Sequence, residues 1–398
     1  MPAGTEHFCI RPRGVLRGAV LTLVFTGVLA TAAATGSLPR QDSAGGPAGA
    51  STRAGERTSG GAGRDTVDSA ALRRAAAAAM ADGKSGKQAA EEFVSRSGDR
   101  WGAVYDKREY AEFEQSLDGA YTGVGLSAGR AAEGRVRVTR VQAGGPAEKA
   151  GLRSGDRLVS VDGRPVDGLS VSEVVALLRG DGVPGTAVAL RVERGRAAWT
   201  QTLRRARLAT DPVTVRRLDD GTLMIRVAAF TKGAGARVRD AVRAAPAGAG
   251  VLLDLRGNAG GLVAEAAVAA SAFLDGGLVA TYDVEGEQRA VYAEGGGDTV
   301  RPLVALIDGG TMSAAELLTG ALQDRGRAVT VGTRTFGKGS VQMPSALPDG
   351  SVAELTVGHY RTPAGHAVDG RGITPDLSAG ERAEERARTV LSGLGGGS

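Results

Sequence analysis

Residues 332–340, GTRTFGKGS, hold a glycine pair and a lysine that could serve either of two chemistries. Gly332, Gly337 and Lys338 match all but the last position of a phosphate-binding loop, GxxxxGK followed by Ser or Thr. Such a loop needs a hydroxyl after the lysine for magnesium and a helix whose N-terminus faces the phosphates. Gly339 stands where the hydroxyl belongs, and Pro344 and Pro348 break any helix over 341–349. The nucleotide reading is set aside, and with it a metal-binding role for Asp254 at the end of GVLLDL.

The other chemistry is a lysine that gives up its proton. Only 6 of the 49 basic residues are lysines. Arginine cannot be deprotonated in a protein, so a lysine between two glycines invites the reading that its proton must leave. A lysine base requires its pKa to fall from about 10.4 towards about 7 or 8 by burial, an effect of roughly 4 kcal/mol. The nucleophile candidate is Ser313 in LIDGGTMSAAELLTGALQ, at the turn between an apolar strand and a helix. Free N–H groups and the helix dipole there favour developing negative charge. Ser313 with Glu316 three residues on is equally an ordinary helix-capping pair. The candidate bases are His359, His366 in the turn TPAGHAVDG, and Lys338. Because position 316 is Glu, the SxxK arrangement is excluded.

The elements that must position these groups follow from pattern. The 398 residues, 42% apolar and 23% charged, fit a soluble protein of two or three domains. A net charge of +5 comes from arginines scattered through every segment, which argues against a nucleic-acid interface. One cysteine and three histidines exclude a disulfide framework and leave no metal-binding spacing. Arg11, Arg13 and Arg17 precede an uncharged run at 18–34, the order of an export signal, cleaved or kept as a membrane anchor, so 1–40 is assigned to export. Residues 41–64, Gly, Ala, Ser and Thr with few apolar side chains, read as a disordered tether. Apolar spacing over 65–118, with Trp101, Tyr105 and Phe113 among the anchors, predicts a helical region. From Tyr121 short alternating strands and glycine turns predict a compact β-rich module. After Asp211 strands alternate with helices, an α/β core, and the tail 379–398 is expected to be solvated and frayed.

GGPAEKAGLRSGDRLVSVDG resembles the central stretch of a PDZ domain, assigned to 119–208. The resemblance implies that Gly123, Val124, Gly125 and Leu126 form the loop that receives a C-terminal carboxylate. Val175 and Leu178 would line the pocket for the terminal side chain, although plain core packing explains either one as well. DLRGNAGG, SAAE, QDRGRA, GTRTFGKGSVQ and YRTPAGHAVDGRGITPD, in this order, resemble the carboxyl-terminal processing peptidases, tail-specific serine proteases. That resemblance implies a multi-domain α/β chain whose Ser-Lys peptidase core, 209–378, is of the crotonase or Clp-protease kind. Ser313 falls on the nucleophile, Lys338 on the general base and Gln342 on the residue that orients the lysine. The oxyanion hole would use the N–H groups of Ala314 and of Gly260, chosen over Gly261. Asp324 falls on a position read as structural. The implied partners are proteins or peptides with free C-termini; no cofactor is implied and the oligomeric state stays open. The rival from another class is a PDZ scaffold with an inactive core, against which the intact Ser313, Lys338 and Gln342 count.

Overall fold

The computed structural model describes residues 67–131, 135–284 and 287–395. Residues 1–40, expected to direct export, and 41–64, expected to be a tether, lie outside the described residues. Helices α1 (Ser69–Ala81) and α2 (Gly86–Ser97) open the chain; Asp68 and Ser85 cap their N-termini, and Gly98, at φ +82°, ends α2. The helical region expected over 65–118 holds three helices and is interrupted at 99–105. Asp99 Oδ1 accepts the Trp101 and Gly102 N–H groups, fixing a turn, and strand β1 (Ala103–Tyr105) follows before α3 (Lys107–Leu117). Side chain-to-backbone bonds of this kind compete with helix, which is why apolar spacing alone misread the segment.

Strand β2 (Ala120–Gly123) leads into the β-rich module: β3 (Leu126–Arg130), β4 (Val136–Val141), α4 (Pro146–Lys149), β5 (Arg157–Val161), β6 (Arg164–Pro165), α5 (Val171–Arg179), β7 (Ala187–Arg194) and β8 (Ala197–Arg204). The sheet order is β3-β4-β5-β7-β8, with β6 beside β5, so β3 is an edge strand, and α5 packs against it. Strand β9 (Ala206–Ala209) returns to pair with β2, closing the module at its base.

The α/β core comprises β10 (Val213–Arg217), β11 (Leu223–Val227), α6 (Ala234–Arg243), β12 (Val251–Asp254), α7 (Val263–Ala270), β13 (Leu278–Val284), β14 (Glu287–Tyr292), β15 (Leu303–Ile307), α8 (Ala314–Asp324), β16 (Val329–Gly332), β17 (Ser340–Ala346), β18 (Val352–Arg361), β19 (Leu377–Ser378) and α9 (Ala383–Gly395). One sheet runs β10-β11-β12-β15-β16-β19, parallel except at β10. A parallel sheet needs cover on both faces, and the strand alternation supplies two apolar faces. Leu303, Ala305 and Ile307 of β15 face a core with α6, α7 and α8, while Val304 and Leu306 face Ala383, Ala387 and Leu391 of α9. The tail is therefore a docked helix rather than a frayed end. Its ERAEERARTVL stretch looked solvated because Ala383, Ala387, Val390 and Leu391 are its only apolar residues, and the sheet face that buries them is formed by distant strands.

A second, antiparallel sheet, β1-β18-β13-β14 with β17 also on β18, stands beside the first. Leu72, Ala90 and Val94 of α1 and α2 pack on Leu347, Ala353 and Leu355 of this sheet. The N-terminal helices are thus anchored to strands from the far end of the core.

Candidate active site

Ser313 begins α8 at φ 59° and ψ −120°, a conformation rarely adopted by a side chain with Cβ. Asp162 is the only other non-glycine residue with positive φ among the described residues. Glu316 accepts the Ser313 N–H at 2.8 Å, which is the reciprocal half of the expected capping pair. The serine hydroxyl does not complete it: Ser313 Oγ is fully buried and has no hydrogen-bond partner among the described residues. A buried hydroxyl left unpaired on a strained turn is costly for stability and suited to a nucleophile awaiting substrate.

Lys338 lies on the loop between β16 and β17, which two close approaches hold in place. A Cβ on Gly337 would sit 2.9 Å from Gly372 N, and one on Gly339 would sit 2.4 Å from Asp369 N. Only glycines permit the loop to lie against 369–372, so the lysine between them is pressed inward and is 1% exposed. Its ammonium nitrogen stands 4.9 Å from the centre of the Trp101 ring. Burial pulls its pKa down to about 8, against the opposing charges of Asp99, Glu354, Asp369 and Glu316.

Two buried side chains clamp the serine and lysine backbones together. Glu316 Oε2 accepts the N–H groups of both Ser313 and Lys338, each at 2.8 Å, while Oε1 accepts from Gly337 N at 2.7 Å and Thr335 Oγ1 at 2.5 Å. Burial raises the Glu316 pKa, and its four donors oppose the rise. The Tyr360 hydroxyl is shared between the carbonyl oxygens of Ser313, at 2.8 Å, and Lys338, at 3.0 Å. Sequence reasoning gave Glu316 only a capping role and did not single out Tyr360. The SAAE spacing was the available signal for the first; the second, 47 residues from Ser313, opens the motif YRTPAGHAVDGRGITPD, which marks the segment but not the bonds of its tyrosine.

The remaining predicted residues fall in different places. Gln342 is 1% exposed on β17 and donates through Nε2 to Ser340 Oγ at 2.7 Å and Thr356 Oγ1 at 3.3 Å. Gly260, at φ +95°, lies against Ser313: a Cβ there would be 2.9 Å from Ser313 Cβ and 3.2 Å from Ala314 N. Gly261 instead abuts the Phe230 backbone. The Gly260 N–H is already engaged, donating to Asn258 Oδ1 at 2.8 Å, so its use towards an oxyanion requires that bond to be exchanged. The loop that carries it is anchored by Asp254, which Arg256 grips with two bonds of 2.8 Å. Neither histidine is placed as a base: His366 is exposed beside Asp324 Oδ1 at 3.4 Å, and His359 Nε2 is 3.8 Å from Asp369 Oδ2. Asp324 Oδ2 accepts the Ala364 N–H at 2.8 Å, a structural bond.

In the β-rich module only Val124 and Gly125 lie between β2 and the edge strand β3, with Gly125 at φ +78°; Gly123 and Leu126 are strand ends, paired with Ala206 and Val141. The Val124 side chain, however, points into the module core. Leu178 is likewise a core residue rather than a pocket wall, because Val174 and Leu178 form the buried i, i+4 stripe of α5. Val175, next to that stripe, is half-buried. A cleft of about 290 Å³ runs between α3, this module and the core, bounded by Phe113, Tyr121, Arg179, Ala229 and Gly260.

Comparison with known proteins agrees with this layout. Residues 221–379 match Peptidase family S41, and residues 137–194 match the PDZ domain. The chain is 30% identical over 286 residues to the carboxy-terminal processing protease CtpA of Bacillus subtilis, covering 71% of this chain and 61% of that one. It is 37% identical over 289 residues to the chloroplastic C-terminal processing peptidase of Tetradesmus obliquus, covering 67% and 62%. With the carboxyl-terminal-processing protease of Synechocystis sp. it shares 35% identity over 299 residues, covering 72% and 69%. It therefore spans just over three fifths of the length of the first two. Among solved structures, the photosystem II D1 C-terminal processing protease aligns over 78% of this chain and 86% of that one, with 31% identity and a TM-score of 0.49. With a peptidase S41 match over the α/β core, a PDZ match before it and a relative 35% identical that is covered over 69% of its length, the chain belongs to the carboxyl-terminal processing proteases of peptidase family S41.

Proposed function

We propose that the chain is an exported serine endopeptidase that captures the free C-terminus of an extended protein in its PDZ domain and hydrolyses a peptide bond upstream with a Ser313–Lys338 dyad. The observation that carries this reading is the double clamp by Glu316 and Tyr360, which ties together the backbones of a residue with an unpaired buried hydroxyl, Ser313, and of a desolvated lysine, Lys338. Neutral Lys338 takes the proton of Ser313 Oγ as that oxygen attacks the scissile carbonyl. The oxyanion is met by the Ala314 N–H at the start of α8 and by the Gly260 N–H released from Asn258, each donor contributing about 3 kcal/mol to the transition state. The Lys338 ammonium then protonates the leaving amine, and water, deprotonated by the same lysine, hydrolyses the acyl-enzyme. Gln342 orients the lysine through these steps. No cofactor takes part.

Substrate capture follows from the edge strand β3: an extended peptide adds to it, with its carboxylate at the loop 123–126 and its body running towards the cleft at Gly260. The basic and then apolar order of 11–34 supports export, with membrane contact through this segment where it is retained. The test is cleavage of an unstructured protein by the purified full chain. Wild type should cut, while Ser313→Ala and Lys338→Ala should not. Cleavage that survives Lys338→Arg would rule out a deprotonated lysine, since arginine keeps the charge and cannot act as a base.

A further inference from the structure

The turn between α2 and β1 lies outside the region matched to the peptidase family, yet it reaches the centre of the site. Strand β1 ends its pairing at Ala103, opposite Glu354 of β18. The N–H of Thr356, two residues further along the same edge, thus has no strand partner, and Asp99 Oδ2 takes it at 2.8 Å. Asp99 Oδ1 also accepts the Thr356 hydroxyl at 2.7 Å. On the neighbouring strand Gln342 sits directly opposite Thr356, beside a register shift between Val341 and Gln342, and its Nε2 donates to the Thr356 hydroxyl oxygen. Thr356 and Gln342 are 2% and 1% exposed, so water cannot substitute for these bonds.

We propose that Asp99 is a positioning residue of the peptidase centre, acting on Gln342 through Thr356, so that the N-terminal helical region completes the site. The reason is the donor and acceptor inventory. A hydroxyl has one hydrogen; once it is committed to a carboxylate, which can only accept, the hydroxyl oxygen is left to accept. That oxygen therefore calls for the NH₂ end of the Gln342 amide, and Ser340 Oγ accepts from the same nitrogen. The carbonyl end of the amide is then the end left to receive a hydrogen bond from a lysine ammonium. With no fixed acceptor behind Thr356, the hydroxyl could donate to Gln342 instead and the amide could turn over. Trp101, held by the same Asp99 turn, brings its ring over the Lys338 ammonium, so one loop both orients the amide and covers the lysine.

This inference rests on the reading of Lys338 as base and Gln342 as its orienting residue, and the experiment separates the two. Steady-state cleavage of an internally quenched peptide with a free C-terminus is measured for the full chain and for Asp99→Asn, Thr356→Val, Thr356→Ser, Asp99→Asn with Thr356→Val, and Lys338→Ala, with thermal melting of each. Asp99→Asn and Thr356→Val should each lower kcat by about tenfold or more with KM within about twofold, the pattern of lost positioning. The double variant should be no worse than the poorer single, since both break one chain of bonds. Thr356→Ser, which keeps the hydroxyl, should restore most of the kcat lost in Thr356→Val. The pH profile adds a further readout. Lys338 is faced by Asp99 from this loop, Glu354 from β18, Asp369 from the loop at 369–372 and Glu316 from α8. Asp99→Asn removes one of these anions and should move the acid limb to lower pH, whereas Thr356→Val should leave it in place. Wild-type kcat in folded Thr356→Val, equal kcat in the Ser and Val variants, or additive losses in the double variant would each overturn the inference. Should Asp99→Asn fail to fold, the Val and Ser pair at Thr356 decides alone. An active Lys338→Ala would instead bring down the dyad reading beneath it.

Discussion

Titrating the enzyme from pH 6 to pH 10 tests the central chemical claim, that activity follows the neutral fraction of Lys338. Its burial lowers the pKa from 10.5 to about 8. At pH 7 an exposed lysine is neutral in only about 0.03% of molecules, whereas one with a pKa near 8 is neutral in about 9%, a gain of roughly 300-fold that corresponds to about 3 kcal/mol. With Lys338 as base, kcat/KM should rise about tenfold from pH 6 to 7, about fivefold from 7 to 8, and by no more than about twofold beyond. The assay is cleavage of an internally quenched peptide at constant ionic strength, with melting followed at each pH to confirm that the protein stays folded. A limb centred well below pH 8 would refute the reasoning, since a group other than Lys338 would then be titrating. A limb near 10.5 would mean that the lysine is solvated in solution, and a flat profile would mean that no base titrates in the range.

Glu354 makes a prediction of the opposite sign. Burial pushes its pKa up to about 7, against the charge of Lys338 and a hydrogen bond with Tyr110. Its folded pKa exceeds the unfolded one, so its contribution is fully present below pH 4.5 and is lost as pH rises through about 7; Glu354→Gln should therefore raise the melting temperature at pH 8 and change it little at pH 4.5. Tyr360→Phe removes the hydroxyl shared by the Ser313 and Lys338 carbonyls, and should cost about 1–3 kcal/mol in stability and lower kcat more than it changes KM, as read by chemical denaturation and steady-state kinetics. Gly339→Ala forces a Cβ to within 2.4 Å of Asp369 N, so the loop that carries Lys338 must move, and peptidase activity should be lost in a protein that circular dichroism still reports as folded. Leu391→Ala on α9 should destabilise the chain by about 2–5 kcal/mol if the terminal helix is docked in solution, and by almost nothing if it is frayed.

Much of this protein is written in local pattern. The apolar strands followed by helices announced the α/β core, the glycine-turn module was recognisable over some twenty consecutive residues, and Ser313, Lys338 and Gln342 sit in short motifs whose residue types already limit the chemistry. Gly337 and Gly339 even signalled a close backbone approach around the lysine. What local pattern could not contain is any bond between groups far apart in the chain. Glu316 reads as a helix cap until the loop at 335–338 folds over it and supplies three of its four donors. Leu178 reads equally as a pocket wall or as plain core packing until the stripe it shares with Val174 is seen to face the module core. The tail reads as solvent-exposed until distant strands present an apolar face to α9, and Asp99 is an ordinary turn residue until β18 brings Thr356 to it across 257 positions. Residue type and short-range spacing thus determine which reaction the chain is equipped for. Burial, which sets the lysine's pKa, and the partners of each buried polar group belong to the tertiary structure alone, because both depend on which distant segments exclude water from the site.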